Sequence, residues 1–424
     1  MTNETFVLHL LESFDIYLLS FVLSFVLYYW LYKGVLGSIF DPLTLQVVGS
    51  MFGFSVVLFL FFKELITSYY FTNYVLTQSA FFLGFFIIKQ RPLAESDYPR
   101  LKINKNLLIT ETSFLVFSLL NILLQIVSYV LVGIPLYKDS RLETYMEGGG
   151  IGLIGRLLSV LVILGLFTGV VTFFQTQKKQ LKWYFIFYCM ISAVFFFLSG
   201  SRSSFITFFI IFFFYKAMIG DTRKKDSKKN FYWLIVITIA AILIMYLKAD
   251  SLLDASSDFL KRIVGFGDVY WAAYPEDNLS KIEPASPFYA VFGDILASYR
   301  IVGWSDIPKS IGLQLFNMNY PYWDVTFGSN ARHNVFGLVY FGYIGSILFS
   351  FILGLFLGAF RMYGFKNMRN VGIVGMFYCV LYMRIASIET DIGFVVSELN
   401  SLLMTLILVF PFIMLLYIKI KKYE

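Results

Sequence analysis

The stretch FFFLSGSRSSFITFFI, residues 195–210, sets two runs of hydrocarbon side chains around a short polar centre of one arginine and four serines. Such flanks belong in lipid, so the stretch reads as the end of one membrane span, a tight turn, and the start of the next. Composition extends that reading to the whole chain. Hydrophobic residues make up 58% of the 424 residues, charged residues only 14%, and there are 49 Phe, more apolar area than a soluble core can hide. The only cysteines, Cys189 and Cys379, both lie in apolar runs, which leaves neither a disulfide framework nor a thiolate metal site.

Working outward, apolar runs long enough for the roughly 30 Å of bilayer hydrocarbon recur near residues 13–32, 44–62, 70–88, 107–133, 153–175, 183–198, 204–219, 231–248, 334–360, 371–388 and 396–418. The expected fold is therefore an all-α, polytopic integral membrane helical bundle of about eleven to twelve transmembrane helices, a single membrane-embedded domain over residues 1–424. If the spans alternate, the basic segments KQRPLAESDYPRLKINK, QKKQLK, DTRKKDSKKN, RMYGFKNMRN and KIKKYE all fall on one side. The positive-inside rule makes that side cytoplasmic. A first external loop then covers 134–152, and a large external loop between spans eight and nine covers 249–333. No G-x-x-x-x-G-K-[ST] or G-x-G-x-x-G sequence occurs, and no cytoplasmic stretch is long enough for a nucleotide-binding domain, which argues against an ATP-driven pump. Nothing points to a nucleic-acid partner.

Arg202 sits where span seven begins, beside Ser201 and Ser203. Positive charge is disfavoured at a helix N-terminus, and costlier below the headgroups, so an anion should compensate it. One reading has Arg202 snorkel to a lipid phosphate. The other makes it a pyrophosphate clamp, its guanidinium fork acting with free backbone N–H groups at the helix start.

Three passages carry a family resemblance. A span ending in LSGSRSSF, a long external loop, and then ARHNVFGLVYFGYIGSILFSFILG (331–354) together resemble the O-antigen and capsular polysaccharide repeat-unit polymerases, the Wzy family. The passage GIPLYKDSRLETYMEGGGIGLIGRL (133–157) is similar to that family's first large external loop, and Arg141 and Gly152 reproduce an R-x10-G spacing. The resemblance implies a GT-C-like fold and a metal-independent glycosyltransferase without cofactor in a bacterial plasma (inner) membrane. It implies substrates that are undecaprenyl-pyrophosphate-linked oligosaccharides, with a flippase and a chain-length regulator as working partners. The product it implies is O-antigen (lipopolysaccharide) or capsule polymer.

A pyrophosphate leaving group needs concentrated positive charge, which the external arginines Arg141, Arg202, Arg300, Arg332 and Arg384 supply. A hydroxyl nucleophile benefits from a general base, and His333 at the external mouth of span nine is the candidate. Its alternative role is structural, at the helix end or among the headgroups. Asn334 is expected to cap the helix, or else to contact substrate. Asp268 and Asp294 are the alternative bases, and the loop acids Asp254, Asp258, Asp268 and Asp294 show no metal-ligand spacing.

Both loop segments 256–277 and 286–304 show apolar residues at mixed helical spacing, and so read as interfacial helices. Trp271, Tyr274, Tyr299, Trp304, Tyr322 and Trp323 are expected in the headgroup belt, with a minority stacking on sugars. Glu111, Gln125, Glu389, Asp391 and Glu398 are costly in lipid and should face a cavity or one another. Two other function classes stay open: a ligase that passes the glycan to a terminal acceptor, and a flippase or transporter. The latter should carry its charges along a transmembrane path rather than at one face.

Overall fold

The computed structural model describes residues 1–93, 107–138, 151–200, 204–220, 264–284, 286–322 and 328–423, and every regular element among them is helical. In chain order these are α1 (Asn3–Glu12), α2 (Phe14–Tyr32), α3 (Pro42–Phe62), α4 (Ser68–Ile87), α5 (Leu107–Val132), α6 (Ile151–Gln175), α7 (Lys179–Leu198) and α8 (Ile206–Ile219). There follow α9 (Asp268–Ala273), α10 (Pro287–Ser298), α11 (Ile311–Asn319), α12 (His333–Ala359), α13 (Phe365–Met368), α14 (Ile373–Ile385) and α15 (Ile392–Tyr423). Arg141, Ser201, Arg202, Ser203, Asp254, Asp258, Trp323 and the span expected at 231–248 lie outside the described residues.

Among the described residues, 7 helical stretches are long and apolar enough to cross a membrane: Phe14–Tyr32, Pro42–Phe62, Leu107–Tyr137, Gly152–Gln175, Lys179–Leu198, His333–Met368 and Ile392–Lys422. The protein is thus a multi-pass helical membrane protein. Two further apolar helices, α8 and α14, are shorter. α4 has the length, but Asn73, Thr77 and Gln78 interrupt its apolar sequence; all three are buried.

The links between helices sort to two ends. At one end Arg361, fully buried, donates to Asp41 (2.9 Å), to the Val35 carbonyl (3.1 Å) and to the Arg91 carbonyl (2.8 Å). These contacts draw the 33–41, 88–93 and 360–370 links together, and Asp41 also caps α3 by accepting from Leu43 N. Lys33, Lys89, Lys366 and Arg369 belong to the same links. At the other end the segment 264–322 packs with α1: Phe6 stacks on Trp271 at 4.0 Å, and Trp271 Nε1 donates to Asn3 Oδ1 (3.1 Å). Among the described residues, the parts of KQRPLAESDYPRLKINK and RMYGFKNMRN that meet at Arg361 therefore lie at the end of the bundle opposite the helix-bearing part of the long loop.

Loop residues 264–304 do form helices, including α10, whose start is set by Ser286 accepting from Phe288 N and by Pro287 in the first turn. Trp271 and Tyr274, expected in the headgroup belt, are instead buried in a core with Phe6, Val56 and Tyr70. Tyr299, Trp304 and Tyr322 are exposed.

The largest departure is in α12. The sequence reads 334–360 as one straight span, but Gly342 has φ +68° and ψ −171°, a conformation open essentially to glycine alone. The chain reverses there. In a straight helix His333 and Ser350 would lie about 25 Å apart, yet His333 Nδ1 is 2.9 Å from Ser350 Oγ. Residues 333–341 thus form a half-helix folded against 343–359. The second half runs parallel to α4 along small residues four apart, Ser346, Ser350, Gly354 and Gly358. Asn73 Nδ2 donates to Ser346 Oγ (3.0 Å), and a Cβ on Gly354 or Gly84 would overlap backbone of the facing helix. Close backbone approach of this kind substitutes for hydrophobic driving force inside a bilayer.

Candidate functional site

The half-helix carries the start of α12 into the bundle. His333 stacks on Phe81 (5.0 Å between centroids), and its Nε2 lies 3.3 Å from Gln78 Oε1. Gln78 is midway along α4, about 15 Å from either end of that helix. The external mouth expected for His333 is therefore not where it sits: α12 begins within the bundle, and the His333 side chain has no exposed surface.

Four elements converge there. Arg332 has φ +29°, a strained value for a side chain with a Cβ, and the surrounding contacts hold it. Its guanidinium donates to the Gly49 carbonyl and to Ser50 Oγ, each at 3.2 Å, both on α3. Glu389, on the link between α14 and α15, accepts from Ser50 Oγ (2.5 Å) and Gln78 Nε2 (3.2 Å), and its backbone carbonyl accepts from His333 N. The His333 ring lies 3.9 Å from the Glu389 carboxylate. A buried cation and a buried carboxylate are thereby tied through Ser50, as burial of charge requires.

Asn334 does not cap the helix. It lies within the first turn, accepts from Tyr270 Oη (2.8 Å) and donates to Thr77 Oγ1 (2.8 Å), which pins the loop helix α9 to α4. The capping position is Arg332, with no side-chain cap. Asp268 starts α9 and is only partly buried. Burial pushes its carboxyl up to about 6, while the Val269 N–H, the Arg332 charge and Ser329 pull the other way. That is a value suited to proton transfer near neutrality.

A second polar group lies among α6, α10, α14 and α15. Arg156 Nη2 donates to both carboxylate oxygens of Asp294 (2.7 and 2.8 Å), and Ser397 Oγ donates to Asp294 Oδ2 (2.5 Å). Arg384 pairs with Glu398 (2.9 Å) and donates to the Ser159 carbonyl (3.0 Å). The remaining acids named from the sequence are also engaged: Glu111 pairs with Lys178 (2.8 Å), and Asp391 accepts from Phe394 N (2.9 Å).

Of the arginines and neighbours chosen from sequence, Arg332, His333 and Asn334 come together, Arg384 belongs to the second group, and Arg300 is exposed at the end of α10 with φ +57°. Missed were Gln78, Ser50 and Ser350, which look like ordinary polar dilution of apolar runs, and Arg156. The signal for Arg156 was present, since a charge inside an apolar span is a functional candidate by default. Among the described residues no group of His, Cys, Asp and Glu is arranged to hold a metal ion.

Comparison with protein-family models, curated proteins and solved structures finds no match for this chain. The class that stands is a multi-pass helical membrane protein with, among the described residues, seven candidate spans and a buried Arg–His–Glu network.

Proposed function

We propose that the protein polymerises polyprenyl-pyrophosphate-linked oligosaccharide repeat units, as the resemblance to the Wzy family implies. The observation that carries this reading is the re-entrant half-helix, which brings Arg332, His333 and Asn334 beside Glu389 under a loop helix bearing Asp268. Transfer of a growing glycan from its lipid pyrophosphate needs this pairing of a fixed cation with proton acceptors.

In the reaction, a hydroxyl at the nonreducing end of the acceptor unit attacks the anomeric carbon of the donor glycan. The new C–O bond forms as the bond from that carbon to the phosphate oxygen breaks. The pyrophosphate leaves with the electron pair, and the hydroxyl proton passes to the base. His333 is the base of first choice. With its ring held by Ser350 and Gln78, it must be uncovered by movement of the half-helix before it meets a substrate. Asp268, nearer the loop end and titrating near 6, is the alternative.

The test is made in cells. Deleting the gene should leave single repeat units on the surface, because export continues without polymerisation. Units trapped inside the cell would instead support the second reading, a transporter of lipid-linked oligosaccharides. One observation favours that reading: a broken helix whose half starts deep in the bundle is a device of many secondary transporters.

A further inference from the structure

The polar side chains around the His333 ring include several that can play only one hydrogen-bonding part, and their chemistry places the ring's own hydrogen. Arg332 only donates, so Ser50 Oγ accepts from it (3.2 Å) and gives its hydroxyl hydrogen to Glu389 Oε1 (2.5 Å). That oxygen is then an acceptor, and the Gln78 group facing it at 3.2 Å is the amide N–H₂. Gln78 Oε1 points the other way, towards His333 Nε2 (3.3 Å). Asn334 gives the same answer independently. Thr77 Oγ1 donates its hydrogen to the Asn73 carbonyl (2.8 Å), so the Asn334 atom 2.8 Å from Thr77 Oγ1 is the amide nitrogen, while Asn334 Oδ1 accepts from Tyr270 Oη. The same nitrogen faces Gln78 Oε1 at 3.5 Å. Turning the Gln78 amide over would set nitrogen against nitrogen there and oxygen against Glu389.

His333 Nε2 therefore faces an acceptor, with the Glu389 carboxylate 3.9 Å from the same nitrogen, and the ring hydrogen belongs on Nε2. Nδ1 is left with the lone pair, 2.9 Å from Ser350 Oγ. Ser350 suits either state of that nitrogen. Its hydroxyl hydrogen reaches Nδ1 while the ring is neutral, and turns to the Ser346 carbonyl (2.7 Å) once Nδ1 gains a proton and becomes a donor. Gln78 has no such freedom, because both ends of its amide are committed. One side of the ring is fixed and the other is adjustable.

We propose that Gln78 is a positioning residue that holds His333 as the Nε2–H tautomer, so that Nδ1, beneath the Ser350 hydroxyl, is the nitrogen that takes the proton. An incoming hydroxyl replaces Ser350 at Nδ1. As its O–H bond breaks, the proton goes to Nδ1 and the electron pair stays on oxygen for attack at the anomeric carbon. That this hydroxyl belongs to a sugar rests on the polymerase reading, whereas the tautomer does not.

The test reads the tautomer without any substrate. His9 and His333 are the only histidines, so His9→Gln with isotope-labelled histidine leaves His333 as the one labelled ring in the full chain in detergent. At about pH 8, above the ordinary histidine range, its nitrogen NMR spectrum should show Nε2 bearing hydrogen and Nδ1 bare. Ser350→Ala should leave that pattern in place, whereas Gln78→Leu should mix the two tautomers. An Nδ1–H tautomer in the parent protein overturns the proposal, and so does a ring protonated on both nitrogens; neither result depends on how the Gln78 and Ser350 variants fold. An unchanged pattern in Gln78→Leu, or an inverted one in Ser350→Ala, takes the role away from Gln78. In a polymerisation assay Gln78→Leu should lower kcat with KM held, by up to about 10⁴-fold, the cost of a wrong tautomer in a serine-protease triad. No ladder from the parent protein contradicts the polymerase reading and leaves the tautomer standing. A ladder from a parent protein with the wrong tautomer overturns this proposal and leaves the polymerase reading intact.

Discussion

Asp268 and His333 are the two proton acceptors that the proposed polymerase chemistry could use, and each makes a separate prediction. The Asp268 carboxyl is raised by burial to about 6 from an ordinary value of 3.8. The folded state therefore holds this proton more tightly than the unfolded chain does. Its contribution to stability is full below about pH 4 and is lost as pH rises through about 6. Asp268→Asn should accordingly raise the thermal midpoint relative to the wild type at pH 8 and give no such gain at pH 4; an equal gain at both values would remove burial as the cause. For His333, loss of a general base removes about 10² to 10⁴ of rate, so His333→Ala should still bind lipid pyrophosphate but polymerise almost none of it. Unchanged turnover would shift the base to Asp268. At this scale the sequence was partly legible: the triplet Arg332–His333–Asn334 was chosen for its chemistry, but its depth was not readable. Depth depends on Gln78, Ser50 and Glu389 meeting it from distant parts of the chain, and no local pattern encodes those meetings.

The broken helix α12 decides where those residues sit. An apolar run from His333 to Met368 satisfies every local criterion for a span, and a glycine within such a run is commonly tolerated without a bend. Packing of Gly337 against Ser346, and of Gly354 against Phe81, goes with the reversal at Gly342. The four-residue spacing of Ser346, Ser350, Gly354 and Gly358 was visible in the sequence and marks a close helix contact, though not its partner α4. The reversal can be checked directly. With Cys189 and Cys379 replaced by alanine, the pair Gly337→Cys and Ser346→Cys should form a disulfide on mild oxidation, because a Cβ on Gly337 lies 3.0 Å from the Cβ of Ser346. In an unbroken helix the two would be about 14 Å apart and would stay reduced. Gly342→Ala should cost about 1–3 kcal/mol of stability for its forced backbone, seen as a lowered thermal midpoint in detergent.

Across the whole molecule, the Arg361–Asp41 pair and the α1–loop contacts mark two ends with different work to do. Arg361→Ala should cost about 3–5 kcal/mol by stranding the buried Asp41 carboxylate, appearing as loss of folded protein from the membrane. Orientation is testable by cysteine labelling: an impermeant thiol reagent applied to intact cells or spheroplasts should modify Ser280→Cys, at the exposed loop end, and spare Asn367→Cys, at the basic end. The reverse result would invert the molecule and move the proposed chemistry to the wrong face. The helical, membrane-spanning class was legible from composition because lipid imposes it on every span. Any task beyond spanning the membrane is readable from the sequence only through resemblance, because function resides in a few side chains whose meeting is tertiary. The most direct measurement is therefore made on the purified protein, incubated with repeat units linked to undecaprenyl pyrophosphate and nothing else. The polymerase reading predicts a ladder of glycans lengthening by one repeat unit per step, with undecaprenyl pyrophosphate released in equal number to the bonds formed. No ladder from a preparation that carries the same units across a vesicle membrane would contradict it and leave a transporter.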